Sequence, residues 1–195
     1  MARRDPLTHE PVLTAAEETL RRFGPDKATV VDVARSLGVS YAVIYRHFDI
    51  KNALRESVTE LWLDQAVESL AVFVTRQGPA DERLHDWLFA LLEGKRRKAR
   101  DDPALFATYA TTVDRTSELV VRHYADMVGQ VAAILRDGVA QGLFVCPDPV
   151  TAADAVLQAT APFHDPLHVA EWSEPGIEQR FENVWLLIIS GLAAR

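Results

Sequence analysis

The 195-residue chain holds a single cysteine, Cys146, so no intramolecular disulfide can form and a reducing cytoplasm is the setting it fits. A free loop thiol is the expectation there, since no basic residue stands beside it to stabilise a thiolate. Long apolar runs are missing too: "VWLLIISGLAA" (184–194) falls well short of the roughly 20 residues that span a bilayer. The N-terminal "MARRDPLTHEPVL" carries two arginines with no apolar segment behind them, which excludes a signal peptide. A membrane is therefore not an expected partner. Also absent are a glycine-rich phosphate loop, a serine nucleophile elbow and a histidine–carboxylate pair at metalloprotease spacing, which argues against an enzyme and leaves no cofactor to expect. No strand-type alternation persists long enough to build a sheet.

What is present is helical periodicity between proline- and glycine-containing breaks such as "FGPDK", "RQGPAD", "DDPAL", "CPDPVT" and "EPGIE". The pattern predicts helices over about 8–23, 30–37, 41–47, 51–76, 81–100, 103–113, 117–142, 150–161 and 174–194, with a short one near 166–172. Three short helices precede several long ones, so the expected fold is all-α, a small N-terminal module joined by a long helix to a larger bundle. Along the linking helix Leu54, Val58, Leu61, Ala66, Leu70 and Phe73 form the predicted buried stripe. The last helix carries one stripe of Ile177, Phe181, Val184, Trp185, Ile188 and Leu192, yet Leu186, Leu187 and Ile189 are apolar on other faces. It needs a second partner surface.

Charge divides unevenly. Residues 1–52 contain eight Lys/Arg and seven Asp/Glu, a net of +1, whereas residues 53–195 contain thirteen and twenty-one, a net of −8. The overall −7 therefore belongs to the C-terminal part, and a basic face on the N-terminal part is permitted.

Within that part lies "VARSLGVSYAVIYRHF" (33–48). Thr29 with Asp32 three residues on forms a capping-box pattern at a helix start. Gly38 suits the left-handed position that ends the helix, Val39 can pack inward across the turn, and Ser40 can cap the next helix. Ile44 and Phe48 then face the core, leaving Tyr41, Ala42, Tyr45 and Arg46 mostly outward. This is helix-turn-helix geometry, whose second helix fits a DNA major groove about 12 Å wide, with Arg46 and Lys51 able to neutralise phosphates.

The segment "TVVDVARSLGVSYAVIYRHFDIKNAL" (29–54) resembles the DNA-binding signature of the tetracycline-repressor (TetR) family of transcriptional regulators, through Ala34, Gly38-Val39-Ser40, Tyr45, His47-Phe48, Lys51 and Leu54. The resemblance implies a helix-turn-helix domain over 1–52, a ligand-sensing and dimerisation domain over 53–195, and a two-fold dimer built by the last two major helices. It implies phosphate contacts from Thr29, Ser40, Tyr45, His47 and Lys51, and base contacts from Tyr41 and Ala42. Ala42 and Val43 depart from the glycine and the threonine or serine frequent in the family, so DNA preference should differ there. The partners implied are a palindromic double-stranded operator, a small-molecule inducer and a second copy of the chain. The function implied is a repressor released from DNA by its inducer.

Candidate inducer contacts are Phe106, Tyr109, His123, Met127, Phe163 and His164, with Trp87 more suited to packing. Two alternatives remain open: a metal-responsive regulator using His123, His164 and His168, and a helical ligand carrier that does not bind DNA. Pro166 weakens the metal reading, because Asp165 and Pro166 read as the start of a helix that would exclude His164. Arg3 and Arg4 read first as a solubilising tail, with a minor-groove arm as the alternative. The run "KRRKAR" (95–100) ends a helix that begins "ADERLHD", and reads as a solvated basic terminus matched to the helix dipole.

Overall fold

The computed structural model describes residues 9–44, 51–112 and 117–194. In order come α1 (His9–Lys27), α2 (Val30–Leu37), α3 (Tyr41–Ile44), α4 (Lys51–Thr75), α5 (Ala80–Asp101), α6 (Pro103–Thr112), α7 (Glu118–Ala140), α8 (Pro149–Ala159) and α9 (Ile177–Leu192). Two 3₁₀ turns, Ala161–Phe163 and Pro166–Glu171, lie between α8 and α9. Among the described residues there is no strand, only an isolated bridge between Phe144 and Ala193, so the fold is all-α.

Element ends follow local chemistry. α1 kinks at Gly24, whose φ of 75° is left-handed. Helix α8 begins at Asp148, whose carboxylate accepts the amides of Val150 and Thr151, with proline in the first turn. Helix α9 starts at Ile177 rather than the expected Glu174, because Pro175 and the left-handed Gly176 (φ 86°) stand between.

Two cores form. One gathers α1, α2, Ile44, and Val58, Trp62 and Leu63 of α4, and it also takes in Leu105, Phe106, Tyr109 and Trp172. The other packs Leu70 of α4 with α5, α7, α8 and α9 around Trp87, Ile134, Leu135, Leu157 and Phe181. Helix α4 thus changes partner midway, serving the first core with its N-terminal half and the second with its C-terminal half. The predicted stripe is correct at Val58 and Leu70, leaves Leu61 and Ala66 only half-buried, and omits Trp62; Leu54's side chain lies outside those described. On α9, Ile189 packs on the core, while Leu186 and Leu187 stay 58% and 76% exposed.

Arg83 ties the second body together. It is buried, pairs with Asp137 of α7 at 2.7 Å, and donates to the carbonyls of Val74 and Arg76, so one guanidinium closes the end of α4 and joins α5 to α7. Cys146 is a free thiol in its loop, as expected, and is buried there; burial raises its pKa.

The turn after α7 depends on Gly138. The amides of Leu143 and Phe144 both donate to its carbonyl, folding the chain back so that the Phe144 ring occupies the space a Cβ on residue 138 would need. Gly138→Ala is expected to displace Phe144 from the core and lower unfolding free energy by about 1–3 kcal/mol, read as a reduced denaturant midpoint.

Candidate functional site

Thr29 caps α2 with β-region backbone; its hydroxyl accepts from the Asp32 amide, while Asp32 accepts from both the Thr29 amide and hydroxyl. Gly38 ends α2 with φ 64°, and the Gly38 and Val39 amides return to Arg35 and Ala34 carbonyls. The turn "GVS" therefore has the expected form, with Val39 packed against the first core. This fixes α3 so that Ile44 is fully buried and Ser40, Tyr41 and Ala42 are exposed on one outward surface, Tyr41 at 62%. Both donors of Thr29 are engaged by Asp32, which leaves it a capping role and no free donor for a phosphate. The candidate contacts Tyr45, Arg46 and His47 lie outside the described residues, as does the side chain of Lys51, whose backbone opens α4.

A second feature lies inside the bundle. A cavity of about 550 Å³, within the range of small-molecule sites, is bounded by α5, α6, α7, α8 and the following 3₁₀ turns. Of the candidates, Tyr109, His123, Met127 and His164 line it. Phe106 and Phe163 do not. Phe106 is buried against Tyr109 and Trp172 in the first core and borders an adjoining cavity of about 240 Å³ that shares Lys95 and Tyr109 with the larger one; Phe163 meets the Phe181 ring edge-on in the second core. Trp87 is wholly buried with its indole N–H on Gln130, a packing role as expected.

The sequence reading missed Lys95, Tyr124, Asp154 and Gln158, which also line the larger cavity. "KRRKAR" is not a uniformly solvated terminus. Arg97 and Arg100 are exposed and Arg96 pairs with Glu93 and Glu178, but Lys95 and Lys98 turn inward. Lys95 is 6% exposed; its Nζ donates to the Tyr109 hydroxyl at 3.1 Å and sits 4.6 Å from that ring's centre. Lys98 donates to the Trp62 carbonyl at 3.1 Å and lies over the Trp62 ring; burial foremost, then the charge of Lys95, lowers its pKa to about 8. The overlooked signal was the inward stripe Leu84, Leu88, Leu91, Lys95, which runs at helical spacing into the basic run.

The histidines divide. His164 Nε2 donates to the Leu157 carbonyl at 3.2 Å, so its Nδ1 carries the lone pair. His123, 8% exposed, has no hydrogen-bond partner on either ring nitrogen. His168 is not part of the cavity; its Nδ1 meets Glu171 at 2.7 Å. The three proposed metal ligands therefore do not converge, and among the described residues no group of three or more His, Cys, Asp or Glu is disposed to hold a metal ion.

Burial, reinforced by Lys95, lowers the pKa of His123 to about 3 and of His164 to about 4, so both rings are neutral. The unfolded chain protonates them near 6.5 and the folded chain does not, so it is the unfolded state that gains protons as pH falls below 6.5. Stability should therefore drop from about pH 7 to about pH 5, and His123→Leu should flatten that slope in denaturant midpoints taken across the window.

Comparison with known proteins bears on both features. Residues 12–58 match the family model "Bacterial regulatory proteins, tetR family", and residues 80–185 match "Tetracyclin repressor-like, C-terminal domain". An HTH-type transcriptional repressor of Mycobacterium tuberculosis is 33% identical over 113 residues, 55% of this chain and 58% of that one. An uncharacterized HTH-type transcriptional regulator of the same organism is 31% identical over 111 residues, 57% and 53%. The chain thus spans about half the length of these curated relatives. The fold is shared with the transcriptional regulator FadR of Bacillus subtilis in complex with stearoyl-CoA (TM-score 0.68, 16% identity, 94% of this chain and 99% of that one). It is shared equally with a TetR/AcrR-family regulator of Thermobifida fusca (TM-score 0.68, 19% identity, 94% and 97%). With a helix-turn-helix, an all-α body and both family domains in register, this chain belongs to the TetR family of transcriptional regulators, which are not enzymes.

Proposed function

We propose that the chain is a homodimeric repressor that binds a palindromic operator through residues 1–52 and leaves it when a small molecule fills the cavity in residues 53–195. One observation carries this reading: Tyr109 belongs at once to the cavity wall and to the core on which the helix-turn-helix is built. A ligand that displaces Tyr109 must repack α6, and α6 lies against α1. A second connection runs from Lys98 over Trp62 to α1, because the Trp62 indole N–H donates to Glu17 at 3.2 Å. Glu17 also pairs with Arg21, which reaches Asp102 at the α5–α6 junction at 2.7 Å.

On the DNA side, Tyr41 and Ala42 take the base-reading positions, and Ser40, Tyr45, Arg46, His47 and Lys51 hold the phosphate backbone. Two such heads must sit about 34–36 Å apart to meet successive major grooves, so a small rotation of each head suffices for release. The second copy is supported by the apolar surface on the last two helices: Leu186 and Leu187 on α9 and Val150 on α8 are exposed. The repressor named among the relatives and the acyl-CoA bound by the Bacillus subtilis protein support the repressing and ligand-binding parts of the reading.

Operator fragments selected from genomic DNA by the purified protein give the test. Affinity should fall linearly on a log–log plot against salt, and Tyr45→Ala or Lys51→Ala should weaken it without changing the dimer mass. A salt-independent interaction, or full affinity in both variants, would favour a ligand carrier. Trp62→Phe keeps an aromatic ring beneath Lys98 but removes the donor to Glu17. It should leave affinity for free operator nearly intact while shrinking ligand-induced release, a coupling ordinarily worth about 1–3 kcal/mol, measured as the ratio of operator affinities with and without ligand.

A further inference from the structure

The larger cavity has a charge and hydrogen-bond pattern of its own, and the inference drawn from it rests on the reading of that cavity as the effector site. Lys95 is a buried cation whose Nζ touches only a neutral phenol and its ring; among the described residues no carboxylate pairs with it. Among the described residues the other deeply buried cation, Arg83, is paired directly with Asp137. His123 adds a neutral imidazole with both nitrogens unsatisfied, more than nine-tenths buried on the same wall. A buried polar group without a partner is costly, and an unpaired buried cation more so. Both are met if the occupant supplies one anionic oxygen pair.

The rest of the lining restricts that occupant. Val120, Met127, Leu157 and Ala161 offer apolar surface. The cavity's carboxylates, Asp154 and Asp165, come from α8 and the loop after it, and Asp154 is itself held by the Tyr124 hydroxyl at 2.8 Å and by Gln158. A ligand with several negative charges would bring some of them against these aspartates. We propose that the effector is a monoanionic organic acid, an apolar body with one carboxylate, that ion-pairs with Lys95 and accepts the N–H of His123.

Matched acid and alcohol probes test this on the full-length chain by isothermal titration calorimetry: octanoate against octan-1-ol, and 4-phenylbutyrate against 4-phenylbutan-1-ol, with octanoyl-CoA as the polyanionic comparison. At least one acid should bind about tenfold or more tighter than its alcohol, as a charge-assisted contact in a buried site requires, and octanoyl-CoA should bind no better than octanoate. Lys95→Met should abolish the preference for acid while retaining alcohol binding, and Lys95→Arg should restore it; circular dichroism and dimer mass confirm that each variant folds. Equal binding of acid and alcohol, a preference that survives in Lys95→Met, tighter binding of octanoyl-CoA, or no acid binding at millimolar concentration overturns the proposal. Operator release is read separately. A Lys95-dependent acid that binds without releasing DNA refutes the release mechanism and upholds the ligand class, whereas a neutral alcohol that binds as well as its acid and releases DNA does the reverse.

Discussion

The contact between Lys95 and Tyr109 is the constraint on which the two halves of the molecule depend. Tyr109 packs with Phe106 and Trp172 in the core beneath the helix-turn-helix, and its hydroxyl accepts from a lysine that α5 delivers to the cavity. One helical turn along α5, Lys98 makes the matching contact with Trp62 on α4. Two lysines on one inward face repel each other, and a core built only for stability would place leucine or methionine there. Their retention at the boundary between the cores suits a surface whose charge balance is completed from outside the chain.

Local chemistry made much of the fold legible. Thr29, Asp32, Gly38 and Val39 act within a few residues of one another, so the spacing alone specifies cap, turn and register, and the structure follows it. Most long helices were legible in extent for the same reason, since proline and glycine mark their ends, although α1 runs on through Gly24 to Lys27 and α9 starts only after Gly176. Burial along α4 was less so. A single stripe assumes one partner, whereas α4 gives Val58, Trp62 and Leu63 to one core and Leu70 to the other.

The cavity was the least legible part, because a void is a property of several helices together. Tyr109, His123, Met127 and His164 were found as polar or adaptable side chains on inward faces. Phe106 and Phe163 shared that signal and went to the cores, because large rings fill space wherever packing offers it. Lys95 was hidden by its company: the five basic residues of "KRRKAR" read as solvated, although Leu84, Leu88 and Leu91 already set the face on which it falls. Charge runs must be divided by helical phase before they are assigned to solvent.

The walls of the cavity are one helix thick, and that bears on how a ligand is felt elsewhere. Helix α8 turns Leu157 and Asp154 toward the cavity while Val150 and Thr151 face outward. Helix α9 likewise buries Phe181 and exposes Leu187. On the opposite side, α5 and α6 separate the cavity from the core of the reading head by a single layer that includes Lys95 and Tyr109. Close-packed interiors shift in discrete steps rather than deform smoothly, so the proposed ligand, seated among these helices, would act on the reading head and on the surface proposed for the second copy through the same displaced walls. No extended relay is needed.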